Sequence, residues 1–153
     1  MASILNVDQI NNAAGTTALT IDSSGRILTP AKPAFCVRKI GTQGGINGVL
    51  QFNSTIFNTG NHYDTTNHYF QAPVTGVYCF MLNAFACASN GNVTSGTIVV
   101  NFETSSDAST WDIAREFYAY TNASAYLSAN TSFILQMTAN DYIRVNVANL
   151  YLY

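Results

Sequence analysis

The sequence predicts an all-β protein: an antiparallel sandwich preceded by a short extended β arm. Runs rich in Val, Ile, Thr, Tyr and Phe recur along most of the chain, separated by clusters of Gly, Asn, Ser and Asp. No window combines helical apolar spacing with helix caps. Many short strands joined by polar turns make the pattern of two packed sheets.

The elements fall on either side of a seam at Thr29-Pro30-Ala31-Lys32-Pro33, where two prolines enforce an extended connector. Before it, residues 1–33 hold strand-like pieces at Ile4–Ile10, Ala18–Ile21 and Arg26–Leu28. The links Asn11-Asn12-Ala13-Ala14-Gly15 and Asp22-Ser23-Ser24-Gly25 are built from turn formers. The apolar residues Ile4, Leu5, Val7, Ile10, Leu19 and Ile21 are too few for a private core. The segment must therefore pack on its own domain, on sister subunits or on a larger partner. Residues 34–153 read as one knob, with strands expected near Ala34–Ile40, Gly48–Phe52, Thr55–Phe57, Tyr69–Gln71, Gly76–Ala88, Gly96–Glu103, Ala114–Thr121, Ser132–Met137, Tyr142–Ala148 and Leu150–Tyr153.

Between Phe52 and Leu82, aromatic, turn and glycine residues recur at fixed offsets: Phe52, Asn58, Tyr63, Phe70, Gly76, Tyr78 and Phe80. That spacing resembles the globular-head domain of complement C1q, within the tumour-necrosis-factor-like (C1q/TNF-like) jelly rolls. The family pattern ends in an aromatic where this chain has Leu82. Leu135 to Val145, with Asp141 in its polar turn, is similar to the family's late turn and strand, and Leu150-Tyr151-Leu152-Tyr153 could fill its final strand. The resemblance implies an antiparallel jelly-roll sandwich, threefold trimers and a structural or binding role. The segment INNAAGTTALTIDSSGRIL resembles a module at the start of tail-fibre and related virion proteins of tailed bacteriophages.

Along Val77 to Phe85 one face carries Tyr78, Phe80, Leu82 and Ala84, and the other carries Val77, Cys79, Met81 and Phe85, broken by Asn83. A strand apolar on both sides needs a second cover, either a loop or arm of the same chain or a neighbouring subunit. With the resemblance, the expectation is a homotrimer with Tyr78, Phe80, Leu82, Tyr151 and Tyr153 at or near its axis. Tyr142 to Val147, by contrast, alternates Ile143, Val145 and Val147 with polar residues, as a one-sided strand does.

Composition narrows the function. Charged residues make up only 9% of the chain and hydrophobics 48%, which suits a subunit that hides much of its surface in an assembly. Six Lys and Arg against eight Asp and Glu argue against nucleic acid. No apolar run is long enough to insert in a membrane, and the start MASILNVDQINN lacks the features of a signal peptide. The three cysteines, Cys36, Cys79 and Cys87, are an odd count and read as free thiols, with Cys36 and Cys79 expected to be buried.

Residues that could carry chemistry are sparse. His62-Tyr63-Asp64 and His68 read as solvated loop residues rather than as metal ligands. Glu103, Asp107, Asp112 and Glu116 lie close in sequence, but Asp107-Ala-Ser-Thr-Trp-Asp112 reads as a hairpin tip rather than a pair of glycosidase acids. No catalytic residue, metal or cofactor is therefore expected. Trp111, Tyr118 and Tyr120 are candidates for a ligand-contact loop, since aromatics presented by a rigid sandwich suit glycan or protein recognition. The expected function is a non-enzymatic trimeric knob or short fibre on the head or tail of a phage particle, assembled in the host cytoplasm. Residues 1–33 would attach it to capsid, portal or tail components. The alternatives are a receptor-binding tip that recognises a host surface glycan or protein, and a soluble C1q-like binding protein.

Overall fold

A computed structural model describes residues 6–41, 43–87, 96–121 and 126–152. Among them every regular element is a strand. Turn chemistry shapes the arm, where β1 (Gln9–Asn11), β2 (Thr17–Ile21) and β3 (Ile27–Leu28) form an antiparallel sheet of their own. The Asn12 Oδ1 accepts from the amides of Ala14 and Thr16 at 3.0 and 2.9 Å, and the Asp22 Oδ1 accepts from those of Ser24 and Arg26, both at 2.9 Å. Each turn closes on a left-handed glycine, Gly15 at φ 81° and Gly25 at φ 76°. Register places Ile10 opposite Leu19 and Ile21 opposite Ile27, so these four side chains share one face. Ile10 and Ile27 are 49% and 66% exposed. The first strand starts at Gln9, later than expected; Val7 precedes it half-buried, and Ile4 and Leu5 lie outside the described residues.

The knob comprises β4 (Ala34–Arg38), β5 (Gln43–Val49), β6 (Ser54–Thr59), β7 (Tyr63–Asp64), β8 (Tyr69–Gln71), β9 (Gly76–Cys87), β10 (Gly96–Ser105), β11 (Asp112–Thr121), β12 (Tyr126–Met137) and β13 (Tyr142–Leu152). One layer runs β11-β10-β13-β8-β7, while β9 and β12 pair along their whole lengths in a second layer. The end of β13 joins the two, since Tyr151 and Leu152 pair with Cys87 and Ala86. All pairings are antiparallel, and β4 pairs with β6.

Two strands are longer than their apolar pattern suggests. Tyr126 to Thr131 extends β12 because the backbone of β9 opposite supplies partners up to Cys87, although Ser128, Asn130 and Thr131 give no apolar alternation. Leu150 to Leu152 continues β13 instead of forming a separate strand, because Asn149 alone cannot reverse the chain and β5 and β9 supply backbone partners beyond it. β5 begins at Gln43, in a Gly-rich stretch with no strand signal, and pairs with the far half of β13.

Strand parity assembles the core. Ile98, Val100 and Phe102 of β10, Ile143 and Val147 of β13, and Phe70 of β8 face Phe80, Leu82 and Ala84 of β9 and Met137 of β12. Phe102 meets Phe133 across the layers with centroids 4.6 Å apart, and Phe70 meets Phe80 at 5.9 Å, both edge-on. The other face of β9 is bare: Val77 and Met81 are 70% and 77% exposed, beside Ile134 of β12 at 66%.

This parity overturns the expected burial of Cys79 and bears on the residues expected at the trimer axis. Phe80 and Leu82 are 8% and 5% exposed and belong to the protomer's own core, as does most of Tyr78, so they have almost no surface left to offer a neighbour. The backbone of Tyr151 lies in β13 beside β9, but its side chain, like Tyr153, lies outside what is described. Cys79 is exposed rather than buried, because it falls on the outward parity of β9; Cys36 is half-buried. Truncating Phe80 to alanine should cost about 3–5 kcal/mol in urea denaturation monitored by circular dichroism. The neighbouring Val77→Ala should change intrinsic protomer stability by less than about 0.5 kcal/mol.

Candidate ligand-contact surface

The recurrent residues between Phe52 and Leu82 can be read from their contacts. Phe70 and Phe80 are core, and Phe52 packs on its edge. Asn58 acts as a backbone mimic: its Nδ2 donates to the Tyr63 carbonyl at 2.9 Å, and its Oδ1 accepts from the Tyr63 amide at 3.1 Å. This two-bond clamp fixes the spacing of the two residues and closes the turn between β6 and β7. Tyr63 is not solvated as expected; it is 7% exposed, with its ring 5.1 Å from Phe35. Burial, reinforced by the Asp64 carboxylate, pushes its phenol far above the ordinary tyrosine range. Tyr78 donates its hydroxyl to the Val74 carbonyl at 2.6 Å, tying β9 to the preceding turn.

The turns clamped by Asn58 wall a cavity of about 510 Å³. Its lining includes Asn61, His62, Asp64, Thr65, Tyr69 and Gln71. His62 and His68 are both half-buried. Asp64 is a loop organiser: Oδ1 accepts from the amides of Thr66 and Asn67 at 2.7 and 3.0 Å, and Oδ2 from the Asn67 side chain at 2.7 Å. Its carboxyl lies below the ordinary range because these donors outweigh its desolvation. Among the described residues no group of three or more His, Cys, Asp or Glu side chains could hold a metal ion.

Beside the cavity the outer face of β8, β13 and β10 carries an aromatic and polar tier. Register sets Tyr69, Arg144 and Glu103 abreast across these three strands, with Gln71 opposite Tyr142. The Arg144 Nε donates to Glu103 Oε2 at 2.7 Å, and the Asn146 Nδ2 donates to Glu103 Oε1 at 2.7 Å. Trp111 lies over the Arg144 guanidinium at 3.9 Å and tilts towards Tyr69 at 6.3 Å. Tyr69 meets the edge of Tyr142 at 5.0 Å, and the Gln71 Nε2 donates to the Tyr142 hydroxyl at 3.0 Å.

Sequence proximity had grouped Trp111 with Tyr118 and Tyr120. The structure separates them. Trp111 joins the tier through Tyr69 and Arg144, residues distant in sequence. Tyr118 and Tyr120 are exposed further along β11, where the Tyr118 hydroxyl donates to Glu116 at 2.5 Å. Tyr69, Gln71, Asn61 and Tyr142 escaped the sequence reading because they carry no motif; the alternation of β8 and β13 was the one available signal.

Two of the four acids are committed to structural bonds. Glu103 is saturated by Arg144 and Asn146, and Asp107 closes the hairpin tip. Amides of Thr110 and Ser109 donate to Asp107 Oδ1, both at 2.8 Å, and the Ser105 hydroxyl donates at 2.9 Å. These donors, Thr110 foremost, hold the Asp107 carboxyl far below its ordinary range.

This is the architecture of a two-layer jelly-roll sandwich. Residues 34–151 match the C1q domain. The fold is also similar to the globular domain of zebrafish complement 1qA, with a TM-score of 0.61 at 19% sequence identity, over 78% of this chain and 91% of that one. The chain belongs to the C1q domain family.

Because the folded Asp107 carboxyl is depressed, its contribution to stability is complete above the unfolded pKa of about 3.9 and is lost as pH falls towards the folded value. Asp107→Ala should therefore lower the thermal midpoint at neutral pH, and the gap from the unmodified protein should narrow at about pH 2.5. Arg144→Ala leaves the 8%-exposed Glu103 short of a partner and should cost roughly 1–3 kcal/mol in denaturant unfolding.

Proposed function

We propose that this protein is a non-enzymatic homotrimeric head of the C1q type, carried on a virion by its N-terminal arm. One observation carries the trimer: the outward face of the β9–β12 pair carries an exposed apolar cluster, flanked by Gln136, Ser132 and Asn83. Val77, Met81 and Ile134 are each 66–77% exposed, and Cys79 lies directly opposite Ile134. Isolated exposed apolar residues are ordinary on a soluble protein, but a cluster of four neighbours on paired strands marks a contact surface. Complete burial of such a side chain is worth roughly 1.5–3 kcal/mol, less the cost of association. The cluster replaces Phe80 and Leu82 as the surface through which copies meet.

The arm supports the second half of the reading. It forms a sheet separate from the knob, with Ile10, Leu19, Ile21 and Ile27 on one face and no core of its own. Such a sheet needs a cover, and sister arms or capsid, portal or tail components of a phage would provide one. The likeness of this segment to the leading modules of tail-fibre proteins favours a particle. Three copies of one knob, repeated over a particle, would multiply weak contacts through effective concentration.

Light scattering on the purified protein should report three subunits. The pair Met81→Asp and Ile134→Asp should yield folded monomers, since both side chains point away from the protomer core. Alkylation of Cys79, followed by peptide mass analysis, should be slow in the parent and fast in that variant. A double variant that still assembles as a trimer would remove the cluster from the account. Imaging of intact particles should place the subunit on head or tail; particles devoid of it would exclude the virion role.

A further inference from the structure

We propose that the cavity beside β8 is a binding site for a neutral carbohydrate, with Tyr69 as its aromatic platform. The proposal extends the reading of the protein as a non-catalytic head and is independent of the number of subunits in it.

The lining selects the ligand class by elimination. A cavity of about 510 Å³ is of the size that takes a small ligand. Neither Lys nor Arg lines it, so no fixed positive charge there favours an anion. Its one carboxylate, Asp64, already accepts three hydrogen bonds from Thr66 and Asn67, so it has little capacity left for a cation. No aliphatic side chain lines it, which leaves an apolar ligand or acyl chain without a partner. What remains is a set of neutral donors and acceptors. Among the described residues the side chains of Asn61, His62 and Thr65 have no hydrogen-bond partner, and Gln71 uses only its amide nitrogen, leaving its carbonyl oxygen open. Carboxamides, an imidazole and a hydroxyl beside an aromatic ring complement a pyranose, which offers hydroxyl groups at its rim and C–H bonds on its faces.

The walls are also set in advance. Gly60, Asn61 and His68 adopt left-handed φ values of 78°, 57° and 62°, two of them at non-glycine positions. The Asn58 clamp on Tyr63 and the three bonds to Asp64 lock the same turns. A Cβ at Gly60 would collide with the His62 ring nitrogen, so the glycine is what lets the imidazole lie there. Tyr69 packs against Tyr142 and Trp111. Rigid walls lower the ordering cost of binding a weakly held ligand.

The full chain, labelled with ¹⁵N, should be titrated with the methyl glycosides of glucose, galactose, mannose and N-acetylglucosamine to about 100 mM, a range suited to millimolar affinity. The methyl glycoside of sialic acid and glycerol serve as comparators. At least one neutral glycoside should give saturable shifts at Asn61, His62 and Gln71, together with a fluorescence change from Trp111, the single tryptophan. Asn61→Ala, a change at an exposed position, and Tyr69→Ala should each weaken that binding at least tenfold. Gly60→Ala should weaken it by displacing His62. No saturable shift at these residues with any of the four glycosides overturns the proposal. So does an equal response to sialoside or glycerol, or full binding by both Asn61→Ala and Tyr69→Ala. Subunit number is measured on the same samples: binding by a monomer leaves the site standing and removes the trimer, and a trimer without binding does the reverse.

Discussion

A chain of aromatic rings holds the two layers together. Phe35 stacks on Phe70 at 5.0 Å, Phe70 meets Phe80 at 5.9 Å, Phe80 meets Phe133 at 5.6 Å, and Phe133 meets Phe102 at 4.6 Å. The rings come from β4, β8, β9, β12 and β10, so strands far apart in sequence are joined through one contiguous apolar contact. Everything outward of this chain follows from parity. Once Phe80 and Leu82 point in, Val77, Cys79 and Met81 must point out. Once Ile143, Val145 and Val147 of β13 point in, Tyr142, Arg144 and Asn146 form the outer tier.

The division of labour between turns and strands is equally plain. Strands supply burial, and side-chain caps supply geometry. Asn12, Asp22, Asn58, Asp64, Asp107 and Asp141 each satisfy backbone amides of a turn, and Asp141 does so by accepting from the Thr138 amide at 2.8 Å. In a chain with so few charged residues, carboxylates and carboxamides are employed mainly as local struts. Glu103 is the exception in role, since it crosses strands to Arg144 and fixes the platform on which Trp111 lies.

The outer surfaces differ in kind, which suits a head that both assembles and recognises. The β9–β12 face exposes an apolar cluster, and the β8 side is concave and hydrogen-bonding. The arm contributes a third surface, a sheet too small to shelter its own isoleucines. Members of one fold commonly carry unrelated functions on such grafted surfaces.

Local chemistry was legible in the sequence because it depends on neighbours in the chain. The strand periods, the turns at Asn12 and Asp22, the hairpin tip at Asp107 and the seven-residue pattern from Phe52 to Phe80 all act over short range. The two apolar faces of β9 were legible as well, but not which of them lay inside. That choice needs the opposing layer, since a strand's parity has no sign until Phe102 and Phe70 close over one side. The cavity and the Tyr69–Trp111–Arg144 tier likewise arise where β8, β10, β13 and the Asp107 hairpin meet. Sequence determined that this chain folds as a sandwich with one strand apolar on both faces. Tertiary packing alone decided which face is core and which side chains share a surface, because non-local pairing brings together residues whose spacing along the chain carries no trace of it.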